Sequence, residues 1–312
     1  MNNTEIEPGT AAKTFSLLSF NVLKEICSGD PGDPERGPRA PRIADIVAEL
    51  SPDLVNFQEL YPGDSDNEFF TIGMRDLLRE RGHDYWYYDS GQMLSRFPRG
   101  DNLHRPLPFC RSRGWEVRTP FGLDLLVFNV HLRAYPFGPN YVLWENDVKS
   151  PLDNSATRDR LKELTAIDKI SQEAEYRDWP VIVAGDFNCV SHLDWTKCNS
   201  RFCGNEADAW PADPFPWKES LHMDMLGFQD SYRDIHPLAE REGITYDSIY
   251  WGSNPGPTSM ERERIDFIHY RPKGRITAVT SETIGDPKCG ADRAMDNWPS
   301  DHSALLTTFQ VE

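Results

Sequence analysis

The residues best suited to chemistry in this sequence are an aspartate and an asparagine two positions apart, Asp186 and Asn188, which follow the apolar run 181–184. Such a run is typical of a strand that is covered on both faces. Because side chains alternate along a strand, the two polar groups should point to the same side. A carboxylate and an amide held together could orient a water molecule and a substrate oxygen. Alternatively, they simply cap the turn that follows.

Other polar residues stand at the ends of separate apolar segments: Asn21, Glu59, His131, Asp266, Asp301 and His302. Each has a structural explanation when taken alone, such as a turn cap, a solvated edge or a core histidine with its hydrogen bonds satisfied. If the strands end on a common side of a sheet, however, their carboxylates, amides and imidazoles meet in one pocket. Convergent titratable groups in a cleft are the expected mark of a functional site.

The elements that must position these residues alternate between strands and helices before the chain becomes strand-rich. Apolar spacing predicts helices over residues 42–50, 67–81 and 156–175. Apolar and β-branched runs predict strands over residues 15–20, 53–58, 85–89, 91–95, 115–119, 123–130, 180–184, 265–270, 276–284 and 303–309. Strands with a few covering helices predict a layered α/β or α+β sandwich.

Charge and composition limit the partners. The chain of 312 residues has 33 Lys and Arg against 50 Asp and Glu, a formal net charge of −17, which disfavours binding of long nucleic acid. Its six cysteines are too few for a disulfide scaffold and include no paired Cys-x-x-Cys units. Reduced thiols are therefore expected, with a local Cys198–Cys203 pair as the alternative.

The domain organisation predicted from the sequence is simple. Residues 1–13 form a polar extension, and residues 14–312 form a single domain with insertions at about 133–155 and 191–263, because no repeat or low-complexity linker divides the chain. Neither a secretory signal nor a run of transmembrane length is visible, so a cytoplasmic protein is expected. A processed secreted chain would have the same appearance. A monomer is the expected oligomeric state.

Seven short motifs then carry a resemblance to a known family. They occur in order between residues 15 and 309, and they are Ser19-Phe20-Asn21-Val22, Asn56-Phe57-Gln58-Glu59, Leu94-Ser95-Arg96-Phe97-Pro98, Asn129-Val130-His131-Leu132, Gly185-Asp186-Phe187-Asn188, Arg264-Ile265-Asp266-Phe267-Ile268 and Ser300-Asp301-His302-Ser303. The series resembles the endonuclease/exonuclease/phosphatase superfamily. This resemblance implies a DNase I-like fold, a four-layered α/β sandwich of two packed mixed β-sheets flanked by helices, with the site at one edge.

The resemblance also implies roles for the motif residues. Glu59, supported by Asn21 and Asp301, would hold Mg²⁺, with Mn²⁺ as an alternative ion. The catalytic residues would be His131, Asp186, Asn188, Asp266 and His302. Asp186 would orient a water molecule for in-line attack on phosphorus, and Asp266 would fix the tautomer of His302. The sequence does not choose between Asp186 and His302 as the base.

The two aromatic-rich insertions should select the substrate, because the motifs select only the reaction. Arg133 and Trp195, together with Asn188, are predicted to contact it. The alternative is that the aromatic side chains of the insertions close a minor core. Four acidic residues of the second insertion are expected to be solvated rather than to form a second metal site: Asp208, Asp213, Asp224 and Asp230.

The function predicted from the sequence is hydrolysis of a phosphodiester or a phosphomonoester by a divalent-metal-dependent enzyme. The expected substrate is a small metabolite, a lipid headgroup, or a sugar or inositol phosphate, since the acidic chain shows no basic groove. A Mg²⁺-dependent endonuclease or exonuclease on DNA or RNA is one alternative. A non-phosphate biosynthetic reaction or a non-catalytic binding role is another, although none of the catalytic motif positions is missing.

Overall fold

A computed structural model of the chain describes residues 12–24, 38–60, 67–88, 92–98, 112–199, 210–238, 240–247 and 262–312. Nearly all of the predicted N-terminal extension lies outside these ranges, and so do Asp208 and Cys203. Within the described residues, none of the helices combines the length and the apolar character that a membrane crossing requires.

The chain alternates strands and helices, as the apolar spacing predicts. The strands are β1 (Thr14–Asn21), β2 (Leu54–Gln58), β3 (Trp86–Tyr88), β4 (Met93–Ser95), β5 (Arg113–Arg118), β6 (Asp124–His131), β7 (Val181–Asp186), β8 (Gln229–Asp230), β9 (Tyr246–Asp247), β10 (Arg262–Glu263), β11 (Asp266–Arg271), β12 (Ile276–Gly285), β13 (Arg293–Ala294) and β14 (Ala304–Val311). The helices are α1 (Ala40–Leu50), α2 (Asn67–Glu80), α3 (Gly138–Trp144), α4 (Ser155–Ser171), α5 (Lys218–Met225) and α6 (Ser231–Ile235), with short 3₁₀ turns at Ser150–Leu152 and Pro287–Cys289.

Two mixed sheets form the centre of the fold. One has the strand order β13-β12-β14-β1-β2-β4-β3 and the other has the order β5-β6-β7-β11-β8, while β9 and β10 pair separately. In the first sheet β1 is parallel to β2 and antiparallel to β14. In the second, β7 is parallel to β6 and antiparallel to β11. The strands therefore run in both directions in each sheet.

Alternation along the strands builds four layers. Leu17, Leu54 and Ile182 face the interior between the sheets, whereas the neighbouring Leu18 and Val55 face outward. The outer face of the first sheet packs against α1 and α2, and that of the second sheet packs against α4 and α5. Period-two alternation lets one strand fill two apolar layers. The predicted four-layered sandwich of two mixed sheets flanked by helices is confirmed.

The parallel pairs β1–β2 and β6–β7 bring the site residues together, because strands that run in the same direction end at the same edge. His131 and Asp186 are register partners at the ends of β6 and β7, and Asp186 is also paired with Asp266 of β11. The sheets are joined just before this edge, where Gln58 Nε2 donates to Asn129 Oδ1 at 2.7 Å. That bond holds the residues that follow β2 close to the end of β6.

The fold differs from the predicted elements mainly at boundaries and in the insertions. The predicted helix 156–175 ends at Ser171, since Tyr176 turns inward and its hydroxyl donates to Glu116 Oε1 at 2.8 Å. Propensity alone would continue that helix through residues 172–175. Helices that the apolar spacing does not predict occur in the insertions, with α3 in the first and α5 and α6 in the second.

Candidate active site

A pocket of about 400 Å³ opens at the edge where these strands end, and its volume lies within the range of small-ligand sites. Its polar side is lined by six of the residues that the sequence singled out: Glu59, His131, Asp186, Asn188, Asp301 and His302. Asp266 and Asn21 lie directly behind this surface, each bonded to one of the lining residues. The strand ends therefore bring together residues that are more than a hundred positions apart in sequence.

Asp186 is buried at the centre of the polar side. Its Oδ1 accepts the backbone N–H of Asn188 at 2.8 Å, and its Oδ2 accepts from Asn21 Nδ2 at 3.1 Å. Burial, together with the charge of the nearby Asp266, raises the pKa of the Asp186 carboxyl well above its ordinary value. The turn cap and the position at a site, the two interpretations of this motif, are both found in the structure, because Asp186 caps the turn and also lines the pocket.

His302 is held by a buried carboxylate. Its Nδ1 lies 2.8 Å from Asp266 Oδ2, and both side chains are almost completely shielded from solvent. Although burial opposes a positive charge, Asp266 raises the pKa of His302 above its ordinary value. The backbone carbonyl of His302 accepts from the Trp298 indole at 2.6 Å, so both the ring and the backbone are fixed.

Glu59 and His131 lie next to each other on the pocket surface. His131 Nε2 lies 3.6 Å from Glu59 Oε1 and 3.7 Å from Asp186 Oδ2. Glu59 has a φ of 60°, an uncommon left-handed conformation for this residue type, and its Oε2 accepts the Lys24 N–H at 3.1 Å. Although burial opposes ionisation, His131 and this hydrogen bond lower the pKa of Glu59.

The charge balance of the pocket fits a bound cation. Four carboxylates, those of Glu59, Asp186, Asp266 and Asp301, share the site with two imidazoles, and Asp266 Oδ1 is buried without a hydrogen-bond partner. The ligand atoms of Asp186, Asp266 and His302 all lie within 4.8 Å of one another. Carboxylate oxygens are the ligands that hard divalent cations prefer. The site is therefore suited to a metal ion.

The three residues predicted to contact substrate differ in their position relative to the pocket. Asn188 lines the pocket, with a φ of 49° and its Nδ2 donating to the Leu132 carbonyl at 3.0 Å. Arg133 does not line it, because its guanidinium is bound to the Tyr135 carbonyl and to Asp159. The prediction for Trp195 is wrong: its side chain is 0% exposed, so it cannot touch a ligand.

Trp195 belongs instead to a buried aromatic cluster formed with Trp210, Phe215 and Trp217. For Trp195, Trp210 and Trp217 of the second insertion, the minor-core alternative is therefore correct, whereas Tyr246 of the same insertion lines the pocket. In the first insertion, aromatic side chains also reach the pocket, and they are Tyr135, Phe137 and Trp144.

The expectation for the acidic residues of the second insertion is wrong in one case. Asp213 and Asp224 are exposed, but Asp230 is 4% exposed and lies 2.7 Å from Arg264 Nη2. Arg264 is fully buried and also contacts Asp194 at 2.9 Å. A buried guanidinium needs counter-charges close by, and this need accounts for the burial of the two aspartates.

Sequence reasoning missed Arg39, which holds two site loops together. This fully buried side chain donates to the carbonyls of Val22 and Leu23 at 2.7 Å and to that of Pro299 at 2.9 Å, and it also binds the Lys24 carbonyl. It therefore joins the segment after Asn21 to the segment before Asp301. No motif or spacing marks a lone arginine ahead of a helix as an anchor.

The two-sheet sandwich with a carboxylate and imidazole pocket at one edge defines the DNase I-like class. The model of the Endonuclease/Exonuclease/phosphatase family matches residues 18–302, and the chain belongs to that family. Members of the family are hydrolases of phosphoric ester bonds, so this protein is an enzyme of that kind. Enzymes of the family typically depend on a divalent metal ion.

Individual relatives are distant. An uncharacterised Caenorhabditis elegans protein, F14F9.5, is 24% identical over 306 residues, which cover 94% of this chain and 90% of that protein. The crystal structure of an endonuclease/exonuclease/phosphatase from Beutenbergia cavernae is similar with a TM-score of 0.59 at 16% identity, over 96% of this chain and 72% of that one. D. rerio TDP2, crystallised with a single strand DNA product, is similar with a TM-score of 0.55 at 19% identity, over 95% and 99%. At these identities the solved structures support the fold alone.

Proposed function

We propose that the protein is a divalent-metal-dependent phosphoesterase that hydrolyses a phosphodiester or a phosphomonoester by in-line attack of water. The observation that carries this proposal is the convergence of four carboxylates and two imidazoles in one pocket, with a buried Asp266 oxygen that has no hydrogen-bond partner. The substrate class we favour is a small phosphoester rather than long nucleic acid. The formal net charge of −17 supports that preference.

Two sets of side chains at the pocket or directly behind it are candidate ligands for Mg²⁺ or Mn²⁺. One set is Glu59 with Asp301 and Asn21, and the other is Asp186 with Asp266 and His302. We favour Glu59 and Asp301 as direct ligands, because Asn21 Oδ1 already accepts the Leu23 N–H at 3.1 Å. A bound divalent ion supplies Lewis-acid stabilisation of charge on the phosphoryl and leaving oxygens.

The remaining polar groups have roles that follow from their partners. Asp186 orients the attacking water, and either Asp186 or His302 accepts its proton. Asp266 accepts the Nδ1–H of His302, which directs Nε2 of that ring to the substrate. His131 and the second Nδ2 hydrogen of Asn188 donate to non-bridging phosphate oxygens as negative charge develops on them.

Turnover of a chromogenic ester tests this function. The purified protein should hydrolyse bis(p-nitrophenyl) phosphate or p-nitrophenyl phosphate with Mg²⁺ or Mn²⁺, EDTA should abolish turnover, and added metal should restore it. Both Glu59→Gln and His302→Ala should lower kcat by about 100-fold or more, because each removes a group that stabilises the transition state. The exposed Glu80→Gln is the matched control and should keep wild-type activity. EDTA-resistant turnover, or full activity of both site variants, would refute the mechanism.

A nuclease activity on DNA or RNA is the second candidate function. It is favoured by the fold similarity to D. rerio TDP2, whose structure contains a single strand DNA product. Against it, no lysine or arginine is found among the described residues that line the pocket. Nicking of a supercoiled plasmid, compared with turnover of the small esters, decides between the two.

A further inference from the structure

Four aromatic side chains line the pocket together with the carboxylates and imidazoles, and we call them the aromatic wall: Tyr135, Phe137, Trp144 and Tyr246. Two of these rings are unusually open to solvent, since Tyr135 is 74% exposed and Trp144 is 46% exposed. Large aromatic side chains are highly buried on average in a folded protein. Several of them clustered around one concave surface therefore mark a surface that binds a ligand.

The aromatic wall has a rigid backing. Phe137 and Tyr246 pack against the buried aromatic cluster that contains Trp195 and Trp217. The backbone of α3, which ends at Trp144, lies so close to this cluster that a Cβ on Gly138 would be 2.7 Å from the Trp217 ring. The Phe137 and Tyr246 rings, held in this way, lose little side-chain entropy on binding.

The aromatic wall begins beside the reacting groups. The ring of Tyr246 lies 5.0 Å, centroid to centroid, from the imidazole of His302, and the two residues also form a backbone bridge. A phosphate that contacts His302 therefore lies close to Tyr246, one of the rings of the aromatic wall.

Charge limits what the ester substituent of a substrate carries. Glu59, Asp186 and Asp301 face the pocket, and the described residues that line it include no lysine or arginine. Arg133, which lies two positions before Tyr135 of the aromatic wall, forms an ion pair with Asp159 at 2.6 Å. A second phosphate on the substrate would meet carboxylates without a lysine or arginine of the described lining to pair with, so a second anionic group on the substrate is disfavoured.

We infer that the aromatic wall binds the planar aromatic ring of a phosphoester that carries a single phosphate, either an aryl ester or a nucleoside ester. This inference rests on the proposed function and narrows its substrate class. A saturated sugar or inositol ring offers no π-face to stack, and an acyl chain would lose more conformational entropy on binding than a rigid ring. Stacking on the aromatic wall would orient the ester bond for attack at the Asp186 side.

Binding of non-hydrolysable phosphonates tests the inference without relying on turnover. Calorimetric titrations of the full chain with Mg²⁺ would compare phenylphosphonate, cyclohexylphosphonate and methylphosphonate. Cyclohexyl matches phenyl in size but is not planar. We expect phenylphosphonate to bind about 10-fold more tightly than the other two, as is typical of one stacked ring.

Two further ligands distinguish a nucleoside ester from an aryl ester as the substrate that carries the ring. The phosphonate analogue of thymidine 5′-monophosphate is compared with that of 2-deoxyribose 5-phosphate. A gain of about 10-fold from the base assigns a nucleoside ester, whereas a gain for phenylphosphonate alone assigns an aryl ester. Either result supports an aromatic subsite.

Variants locate the preference on the aromatic wall. Tyr135→Leu and Trp144→Leu should each reduce the ratio of phenyl to cyclohexyl affinity toward one, and Trp144→Phe should retain it. The matched control is Trp86→Leu, since Trp86 is 56% exposed on β3 and does not line the pocket. It should leave the ratio unchanged.

The outcomes separate this inference from the proposed function. Equal affinities for the three phosphonates, tighter binding of cyclohexylphosphonate, or a preference that survives in both leucine variants would overturn the aromatic subsite, even if the enzyme hydrolyses phosphoesters. A ring preference that depends on Tyr135 and Trp144 in a protein that hydrolyses no phosphoester supports the subsite and overturns the proposed function.

Discussion

At the scale of single residues, buried charges are held by partners from distant parts of the chain. Arg264, two positions before Asp266, lies between Asp194 and Asp230, each within 2.9 Å. Arg233 donates to the other oxygen of Asp194 at 2.7 Å. This cluster fixes the start of β11, which supplies the carboxylate that holds His302. Its contribution to stability depends on the ionisation of its aspartates.

The ionisation of Asp230 gives the first prediction. Although burial opposes its charge, Arg264 lowers the pKa of Asp230 to about 2. A carboxyl with a lowered pKa in the folded state stabilises the protein above its ordinary pKa, and that stabilisation disappears as the pH falls toward 2. Asp230→Asn should reduce the free energy of unfolding by about 3 kcal/mol at neutral pH, because it leaves Arg264 partly unpaired.

Urea unfolding of wild type and Asp230→Asn, followed from neutral pH to below the ordinary aspartate value of 3.8, measures this effect. The difference between the two proteins should shrink as the pH falls below that value. A difference that stays constant over the whole range would show that the ionised Asp230 is not the stabilising group.

The anchor made by Arg39 gives a second prediction. Arg39→Met should lower the free energy of unfolding by about 3 kcal/mol and reduce activity about 10-fold or more, because four backbone carbonyls lose a charged donor and the two site loops separate. Thermal unfolding and ester hydrolysis measure the two effects. Arg118→Met, at a position where the side chain is 56% exposed, is the control and should change the free energy of unfolding by less than about 0.5 kcal/mol. Equal behaviour of the two variants would contradict the role of Arg39.

At the scale of elements, the parallel pair β6–β7 holds His131 opposite Asp186, and Gly185 permits that approach. Gly185 has a φ of 149°, and a Cβ built on it would lie 1.9 Å from the Val130 carbonyl oxygen. No side chain fits between the two backbones at this point. The glycine of the Gly-Asp-Phe-Asn motif is therefore a requirement of strand packing rather than of the chemistry itself.

Gly185→Ala should push β6 and β7 apart at the pocket, lower the melting temperature, and reduce activity about 10-fold or more through the misplaced His131 and Asp186. Gly73→Ala, in an exposed part of α2 where an added Cβ meets nothing within 4 Å, is the matched control. That change should raise the free energy of unfolding by about 0.5–1 kcal/mol. A Gly185→Ala enzyme with normal stability and turnover would contradict the close approach.

The elements around the polar side of the pocket could be predicted because their signals are local. Apolar runs that end at Asn21, Glu59, His131 and Asp186 indicate strands, and the ordered motifs indicate which strands share an edge. Which tryptophans are buried and which line the pocket could not be predicted in this way. Trp195 and Trp144 both occur in aromatic-rich segments, but Trp195 is buried whereas Trp144 is 46% exposed. This difference arises from tertiary packing, such as that of α3 against Trp217. Contacts between distant segments carry no periodic signal in the sequence.

At the scale of the whole molecule, the formal net charge of −17 has the same sign as the charge of a phosphoester substrate. Long-range repulsion slows the approach of a phosphoester, and dissolved salt screens that repulsion. For bis(p-nitrophenyl) phosphate, kcat/KM should therefore rise as NaCl increases from about 0.05 to about 0.3 M. A steep fall of kcat/KM with salt for this small anionic ester would show a net attraction instead and would contradict the repulsion.

Attack of water on phosphorus is tested most directly by hydrolysis of bis(p-nitrophenyl) phosphate in H₂¹⁸O, with Mg²⁺ or Mn²⁺ present and the products analysed by mass spectrometry. We predict one ¹⁸O in each molecule of p-nitrophenyl phosphate formed and none in p-nitrophenol, because in the proposed mechanism the attacking water forms the new bond to phosphorus. Absence of turnover, or ¹⁸O in p-nitrophenol, would contradict a metal-dependent phosphoesterase that acts through this pocket.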